Sequence, residues 1–453
     1  MRRRDDDAIP VLTLPGVGAI PASSAEYRRL SLAALETALN DVPGYAPWRG
    51  RDPGPGVPLD ERYAALPGLT KADLRAGPPD RFVPRGKDLR RGLADGEVEF
   101  AQTSGTTDDQ VTLVFSAAWW EASERAAWQL NARAREAATG AHREAVVASP
   151  RCVGPGYSPQ PRAERERTLG RVLYLNEKID PATWNEMDIR RIAAELNGYA
   201  PAVLEGDPAY LAPFARRATA LGLDLFRPPL IFLTYSYPSR VYLRQIRRAF
   251  PVPVLSSYGS TETGHVFLEC EAGRLHQNAA HCRVDFEPWL PRYGGPRRGR
   301  MLVTVFHNPW FPVLRFDIGD VARLEDRGPC PCGRAEGLTL ASIEGRIKDA
   351  TFAADGRVVT VDDLDGALAR SEALDAWQLE LPEPGLLRLR VLADPSVADR
   401  ARREARELLE SVYGGGVRSE VVAAAPEPEP SGKFRFARAA FPVDHGILWR
   451  TGG

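Results

Sequence analysis

The chain has 453 residues, of which 43% are hydrophobic, and its 59 Lys and Arg residues nearly balance 60 Asp and Glu residues. This length suits a large domain plus a smaller one rather than a single ordinary domain. The formal net charge of −1 gives no electrostatic basis for binding nucleic acid or an anionic membrane. We therefore expect a small-molecule partner.

Hydropathy gives no sign of a membrane or secretory segment. No apolar run approaches the roughly 20 residues that a membrane-spanning helix needs, and MRRRDDDAIP at the N-terminus has no apolar segment behind its arginines. The expected location is the cytoplasm.

Short apolar runs alternate with helical patterns through the middle of the chain. Strands are predicted at 144–149, 201–206, 228–236 and 252–259, and helices at 180–198, 207–222 and 239–250. This alternation is typical of a parallel sheet covered by helices, in which ligands bind at the carboxyl ends of the strands. The segment SSYGSTE, residues 256–262, lies at one such end.

The pattern changes after Arg298. Two strands, 298–306 and 314–324, are joined through a Pro-containing turn, which indicates antiparallel pairing. Beyond Asp349 the chain resembles a separate small α+β unit with strands at 377–381, 386–392 and 417–422, a helix at 396–414 and an exposed loop at 425–433. The predicted fold class is α/β, with parallel sheets flanked by helices, an antiparallel part and a small α+β domain at the C-terminus.

Five cysteines, spread over a long chain, make a poor disulfide framework because their number is odd. Three thiolates and one imidazole can form a closed tetrahedral zinc site. The candidate ligands are Cys270, His276, Cys330 and Cys332. Scattered free thiols are an equal alternative from spacing alone, and His281 and Cys282 are competing ligands.

Five segments follow one another in the order found in the adenylate-forming enzymes, which include acyl-CoA synthetases, nonribosomal-peptide adenylation domains and luciferases. TSGTT (103–107) resembles their phosphate loop, YGSTE (258–262) their adenine and magnesium motif, and RFDIGD (315–320) their ribose-binding motif. EGRIKDA (344–350) resembles the hinge, and SGKFRF (431–436) the C-terminal lysine motif. Within the superfamily the chain is most similar to phenylacetate-coenzyme A ligases, whose corresponding stretch resembles PVLRFDIGD, CPCGR and IEGRIKD.

This resemblance implies an AMP-forming acid–thiol ligase. Such an enzyme joins a carboxylic acid to the α-phosphate of ATP, expels pyrophosphate, and passes the acyl group to coenzyme A. The resemblance also implies Mg²⁺, a zinc ion on the four candidate ligands, and a mobile domain at 348–453 that rotates about Lys348 against an adenylation domain at 1–347. The alternative acceptors of the acyl group are a carrier-protein thiol and an amine. The resemblance is also compatible with a homodimer. The alternative from another functional class is a degenerate nucleotide-binding protein without catalytic activity.

The family's motifs assign roles to individual residues of this chain. Phosphate contacts are assigned to Thr103, Ser104, Gly105, Thr106 and Thr107, and nucleotide contacts to Tyr258, Gly259, Ser260 and Thr261. Glu262 matches the magnesium ligand, Asp320 the acceptor of both ribose hydroxyls, Arg346 an arginine near ribose and phosphate, and Lys433 the lysine that meets the carboxylate and α-phosphate. Donors already aimed at phosphate oxygens are the groups that this chemistry needs, because negative charge builds there.

The sequence TSGTTDDQV departs from the family, which usually has glycine at the position of Asp108. Aspartate is one of the few other residues that tolerate a positive φ. A carboxylate about 4 Å from a phosphate costs roughly 1 kcal/mol in water and about 4 kcal/mol near a protein surface. We therefore expect Asp108 and Asp109 to face solvent or a cation.

Substrate identity is only weakly encoded. Tyr235, Ser236 and Tyr237 stand where relatives often have a glycine-rich stretch, and His265 follows the magnesium motif. Aromatic walls with one polar group favour a hydroxy- or amino-substituted aryl acid, of the kind used in secondary metabolism, over a long alkyl chain. Ordinary packing is the alternative explanation for these aromatic residues.

Overall fold

The computed structural model describes residues 24–103, 110–137 and 142–450. Its α-helices are α1 (Ala25–Asp41), α2 (Leu59–Ala65), α3 (Lys71–Arg75), α4 (Leu89–Ala94), α5 (Ala117–Trp128), α6 (Ala132–Ala137), α7 (Glu186–Tyr199), α8 (Pro208–Ala220), α9 (Arg240–Ala249), α10 (Val361–Leu368) and α11 (Ala398–Tyr413). Its strands are β1 (Glu99–Gln102), β2 (Thr112–Phe115), β3 (Glu144–Val147), β4 (Thr168–Leu169), β5 (Val172–Tyr174), β6 (Val203–Gly206), β7 (Leu230–Leu233), β8 (Val254–Ser260), β9 (Gly264–Glu269), β10 (Leu275–Gln277), β11 (Cys282–Pro288), β12 (Arg298–Val305), β13 (Phe316–Leu324), β14 (Thr339–Arg346), β15 (Thr351–Phe352), β16 (Val358–Val359), β17 (Ala376–Leu381), β18 (Leu386–Leu392), β19 (Arg418–Ala423) and β20 (Ala437–Ala439).

The chain divides into two compact units, neither of which is continuous in sequence. The described part of the first unit is 24–103, 110–132 and 258–342. Its strands follow the order β11-β12-β13-β14-β10-β9, and the pairs β11/β12, β12/β13, β14/β10 and β10/β9 are antiparallel. The antiparallel pairing predicted for 298–306 and 314–324 is therefore confirmed as β12 and β13.

The second unit contains the predicted parallel sheet and the C-terminal segment. Its described residues are 133–137, 142–257 and 343–450. Strands β8, β7, β6, β3 and β5 pair in parallel in that order, and β4 adds an antiparallel edge. The C-terminal sheet has the order β19-β18-β17-β20.

One hydrophobic core serves both parts of the second unit. Ile231 of β7 and Phe250 after α9 belong to the same cluster of buried residues as Trp377 of β17, Leu389 of β18 and Leu409 of α11. Parallel strands are buried on both faces, which explains their continuous apolar sequences. The core therefore joins the parallel sheet to the C-terminal segment by apolar burial.

A buried carboxylate adds polar contacts to this shared core. Asp365 of α10 is fully buried and accepts hydrogen bonds from Ser239 Oγ, from the Arg240 backbone N–H at 2.8 Å and from Trp377 Nε1 at 3.0 Å. The guanidinium of Arg244, on α9, donates to carbonyl oxygens just beyond the end of α10, including those of Ala369 (3.1 Å) and Leu374 (2.7 Å). The basic face of α9 thus caps the C-terminal end of a neighbouring helix.

Most predicted elements appear with shorter bounds, and one boundary was wrong. The helix expected from Asp180 begins only at Glu186, after a separate 3-10 turn at Pro181–Thr183. Asn185 caps α7 through a reciprocal pair of hydrogen bonds with Asp188, and this capping box fixes the start of the helix. No helix in the described residues is long and apolar enough to cross a membrane.

Candidate active site

The predicted phosphate loop falls almost entirely outside the described residues. The loop residues that lie outside the described part of the chain are Ser104, Gly105, Thr106, Thr107, Asp108 and Asp109. Thr103 is described: its backbone N–H donates to the Val111 carbonyl at 2.9 Å, and its Oγ1 accepts from the Val111 N–H at 3.0 Å. Thr103 therefore helps to pair β1 with β2 on the two sides of that segment.

Tyr258 and Asp320 meet in the first unit. The Tyr258 hydroxyl donates to Asp320 Oδ2 at 2.7 Å, and Asp320 is buried. A carboxylate is a hydrogen-bond acceptor of the kind that ribose hydroxyls need. The Tyr258 bond holds this acceptor beside the tyrosine ring that sequence reasoning assigned to the adenine.

Glu262 lies in the same unit and forms an ion pair with Lys71. Its carboxylate Oε1 is 3.4 Å from Lys71 Nζ, and its side chain is almost fully buried. Among the described residues no donor makes a hydrogen bond to Oε1. A buried carboxylate needs a counter-charge, and a hard oxygen ligand with spare capacity suits Mg²⁺. The site therefore fits the predicted magnesium role.

The turn after β8 depends on a glycine. A Cβ atom at Gly259 would lie 2.0 Å from the Gly264 carbonyl oxygen, so only glycine allows these two backbones to approach. Ser260 Oγ is 3.0 Å from Thr263 Oγ1, and the Thr263 N–H donates to the Ser260 carbonyl. Thr261 is half-buried within this turn.

Two imidazoles lie beside α5 in the first unit. The His265 ring is 4.9 Å from the Trp120 ring, and burial, with a smaller effect of the His281 charge, lowers the pKa of His265 to about 3. His281 Nε2 lies 3.0 Å from the Thr263 carbonyl oxygen, and burial lowers the pKa of His281 to about 4. Both rings are neutral near pH 7, which suits hydrogen bonding rather than charge pairing.

The four candidate zinc ligands converge. One ligand atom from each of Cys270, His276, Cys330 and Cys332 lies within 4.8 Å of the others. Cys270 Sγ is 3.6 Å from Cys330 Sγ, and Cys332 Sγ is 3.3 Å from His276 Nε2. Two thiolates on a tetrahedral zinc ion are about 3.8 Å apart, given Zn–S bonds of about 2.3 Å. The cluster therefore has the dimensions of a zinc site, and it joins the β9–β10 hairpin to the loop between β13 and β14.

The surroundings of the cluster favour metal binding. His276 Nδ1 is 3.4 Å from Thr339 Oγ1, an outer contact that orients the imidazole with Nε2 toward the cysteines. Burial raises the pKa of the Cys270 thiol to about 11, so its thiolate needs the charge of a cation. The competing Cys282 and His281 lie outside this group: Cys282 Sγ faces the Asn278 carbonyl oxygen, and His281 contacts Thr263.

In the second unit the predicted pocket residues take up internal contacts. Tyr235 has a φ of 71°, a left-handed backbone that is rare for a bulky residue. Ser236 Oγ donates to Asp207 Oδ1 at 2.5 Å, and the Tyr237 hydroxyl donates to Asp362 Oδ1 at 2.7 Å. Ser236 and Tyr237 therefore support the protein's own carboxylates.

Lys433 lies in a turn of the second unit beside Asp207, a fully buried carboxylate that caps α8. Burial raises the pKa of Asp207 to about 6, although hydrogen bonds from Ser236 and the Ala209 N–H and the charge of Lys433 oppose this rise. The lysine-motif segment also contacts the segment predicted as the hinge, because Arg435 Nε donates to buried Asp349 at 2.9 Å. Burial raises the pKa of Asp349, while the charges of Arg435, Lys348 and Arg346 act against that rise.

Sequence reasoning missed Lys71 and Asp207. Lys71 is the first residue of α3, whose cap Thr70 forms a capping box with Asp73. In the sequence, Lys71 is therefore recognisable only as the start of an ordinary helix, with nothing that links it to Glu262. Asp207 was predicted as the first residue of a helix, and a helix cap gives no hint of a nearby lysine.

Comparisons with known proteins agree with this architecture. No family model matches the chain. Protein CapK of Staphylococcus aureus is 26% identical over 175 residues, which make up 38% of this chain and 38% of that protein. A crystal structure of 2-hydroxyisobutyryl-CoA ligase in the postadenylation state, in complex with 2-HIB-AMP, matches with a TM-score of 0.67 and 18% identity over 94% of this chain and 92% of that chain.

The chain has the adenylate-forming ligase fold. The same ligase in the thioesterification state, with 2-HIB-AMP and CoA, matches with a TM-score of 0.53 and 19% identity over 92% of this chain and 89% of that chain. The predicted α/β fold is thus confirmed. At such identities the likeness concerns the fold, and activity has to be argued from the site.

Proposed function

We propose that the chain activates a carboxylic acid with ATP as an acyl-adenylate and transfers the acyl group to coenzyme A. The observation that carries this proposal is the buried polar group around the turn after β8, where Tyr258 binds Asp320 and Glu262 pairs with Lys71 within an adenylate-forming fold. A buried carboxylate oriented by a tyrosine, and a second buried carboxylate beside a cation, are groups that a nucleotide and its metal ion require.

The proposed roles follow from the chemistry of each group. Asp320 accepts from the ribose hydroxyls and Tyr258 packs near the adenine, with Gly259, Ser260 and Thr261 lining the turn. Glu262 would hold Mg²⁺, which neutralises phosphate charge when bound. Arg346 acts near ribose and phosphate, and Lys433 offsets the charge that gathers as carboxylate meets α-phosphate.

The proposed substrate is an aryl acid with a hydroxyl or amino group. Trp120 lies between His265 and Phe115, with ring centroids 4.9 Å and 5.8 Å apart respectively, which gives an aromatic wall with one polar member. A neutral imidazole can bond either a hydroxyl or an amine. The internal bonds of Ser236 and Tyr237 leave His265 as the better candidate of the predicted pocket residues.

The decisive experiment is acid-dependent exchange of pyrophosphate into ATP with a panel of aryl acids, followed by trapping of the acyl group with coenzyme A, a carrier protein or an amine. Asp320→Ala should reduce exchange at least a hundredfold, whereas Asp355→Ala, at an exposed turn, should leave it unchanged. No exchange with any acid, in protein that still binds ATP, would favour the degenerate nucleotide-binding alternative suggested by Asp108 and Asp109. Trapping by a carrier protein or an amine alone would replace coenzyme A as acceptor.

Two further parts of the proposal are structural. The cluster of Cys270, His276, Cys330 and Cys332 would hold one zinc ion that supports the first unit. The boundary between an adenylation domain at 1–347 and a C-terminal domain at 348–453 is proposed as the hinge, with Lys348 within the 3-10 turn Ile347–Asp349.

A further inference from the structure

The turn that carries Lys433 is fastened to the parallel-sheet part of the second unit through its backbone. Arg151 Nη1 donates to the Pro430 carbonyl at 2.7 Å, and Ser149 Oγ donates to the Ser431 carbonyl at 2.7 Å. The Tyr210 hydroxyl lies 2.8 Å from the Gly432 carbonyl. Three consecutive carbonyls directly before Lys433 therefore have side-chain donors.

The two donors nearest to Lys433 are buried hydroxyls. Ser149 follows β3 and Tyr210 is in the first turn of α8, and both are buried. The Tyr210 hydroxyl has a single proton and also faces the Ile179 carbonyl, so that proton is shared between two acceptors. The Ser149 hydroxyl donates to the Ser431 carbonyl, which the Cys152 thiol also faces at 3.4 Å.

Gly432 is required by the close approach of these donors. Its φ is 83°, and a Cβ atom there would lie 2.1 Å from Ser149 Oγ and 2.7 Å from the Tyr210 hydroxyl oxygen. These contacts show a glycine that allows a tightly held turn.

The turn is also closed by its own hydrogen bonds. The Gly432 N–H donates to the Glu429 carbonyl at 2.7 Å, and the Glu429 N–H donates to the Lys433 carbonyl at 2.8 Å. The backbone of Lys433 is thus held from inside the turn and from the sheet. The position of this backbone sets where the Lys433 side chain begins.

We propose that Ser149 and Tyr210 are positioning residues for Lys433 in acyl-adenylate formation, and that Gly432 is needed for their contact. They touch the backbone of the turn and not the reacting atoms, so their effect passes through the placement of the lysine. A misplacement of about 1 Å can cost roughly a hundredfold in rate. This inference rests on the proposed ligase function.

The test separates the two half-reactions in the full-length protein. Tyr210→Phe and Ser149→Ala should each lower kcat for pyrophosphate exchange about tenfold, and the double variant or Gly432→Ala about a hundredfold, with KM for ATP unchanged. Thioester formation from presynthesised acyl-adenylate should stay within twofold of the wild type. The matched control is Tyr199→Phe, whose hydroxyl binds the Arg171 carbonyl, and it should leave both reactions unchanged.

A second readout does not require activity. Hydrogen–deuterium exchange of the Gly432 and Lys433 amides should accelerate in Tyr210→Phe and Ser149→Ala and stay at the wild-type rate in Tyr199→Phe. If the variants loosen the turn but wild-type protein activates no acid, the hydrogen bonds to the turn are confirmed, and both the positioning role and the proposed function are excluded. Unchanged amide exchange, or equal loss of both half-reactions in folded protein, would overturn the inference while leaving acid activation intact.

Discussion

At the scale of single residues, Lys433 is the side chain on which the proposed chemistry depends most. Its turn is held by Ser149 and Tyr210 beside the buried carboxylate of Asp207. The sequence could identify the lysine from its motif. It could not identify these partners, because they lie more than 200 residues away along the chain and have no motif of their own.

Lys433→Ala should lower acid-dependent pyrophosphate exchange by two or more orders of magnitude, because the cation offsets charge that develops in that step. Thioester formation from presynthesised acyl-adenylate should be largely retained. Both rates can be measured on one preparation, with Lys87→Ala, an exposed lysine, as the control. Equal loss in the two half-reactions of folded protein would contradict a role confined to adenylation.

Asp207→Asn should change how stability depends on pH. The pKa of Asp207 is about 6 in the folded protein, above its ordinary value of 3.8. The folded state therefore binds this proton more readily than the unfolded state between about pH 4 and pH 6, so the group lowers the free energy of unfolding as pH rises through that window. Asparagine keeps the helix cap and removes the titration.

Urea unfolding of both proteins between pH 4.5 and 7 measures this effect. The free energy of unfolding of the wild type relative to Asp207→Asn should fall with rising pH, by up to about 3 kcal/mol over the full window. Asp355→Asn is the control. The Arg357 backbone N–H lowers the pKa of this exposed carboxyl, so Asp355 titrates below the pH range of the measurement. A flat difference would mean that Asp207 has an ordinary pKa.

At the scale of elements, the Cys/His cluster shows how spacing and structure complement each other. Sequence spacing suggested four ligands and two competing ones. The antiparallel pairing of β10 with β9 and β14 is what brings His276 beside the cysteines. Alternating apolar and helical patterns predicted most strands and helices of the second unit. They missed α10, because its buried face contains Asp362 and Asp365, and a pattern of apolar residues cannot reveal buried carboxylates.

Cys332→Ser should lower bound zinc from about one ion per chain and decrease the melting temperature. The reason is that binding energy of a structural zinc ion is also folding energy. Elemental analysis and thermal unfolding measure the two effects. Cys282→Ser is the matched control: this buried cysteine lies outside the cluster, and its replacement should leave zinc content unchanged. Zinc-free wild-type protein of full stability would exclude the site.

At the scale of the whole molecule, the proposed hinge requires the C-terminal segment to move, whereas the shared core holds that segment against the parallel sheet. The resemblance implies rotation of the C-terminal domain about Lys348. The second unit packs that segment against the parallel sheet through one apolar core and the Asp365 hydrogen bonds. Sequence patterns could place the hinge motif, but they could not show this packing, because it joins residues more than 100 positions apart.

Lys348→Pro should harm thioester formation more than pyrophosphate exchange, because proline fixes φ at the pivot and restricts movement between the two half-reactions. The ratio of the two rates is the measurement, and Lys87→Ala again serves as the control. An unchanged ratio would indicate that both steps proceed with the C-terminal segment in place on the parallel sheet.

The shared core also constrains how the protein is made. A ribosome completes the parallel strands β3 to β8 long before it reaches Trp377, Leu389 and Phe436, which belong to the same core. Until then, residues such as Tyr242, whose ring lies 5.9 Å from that of Phe436, have no cover from the C-terminal segment. A nascent chain that stops near residue 347 should therefore expose an apolar surface and attract chaperones, and a fragment cut at that boundary should be insoluble when produced alone.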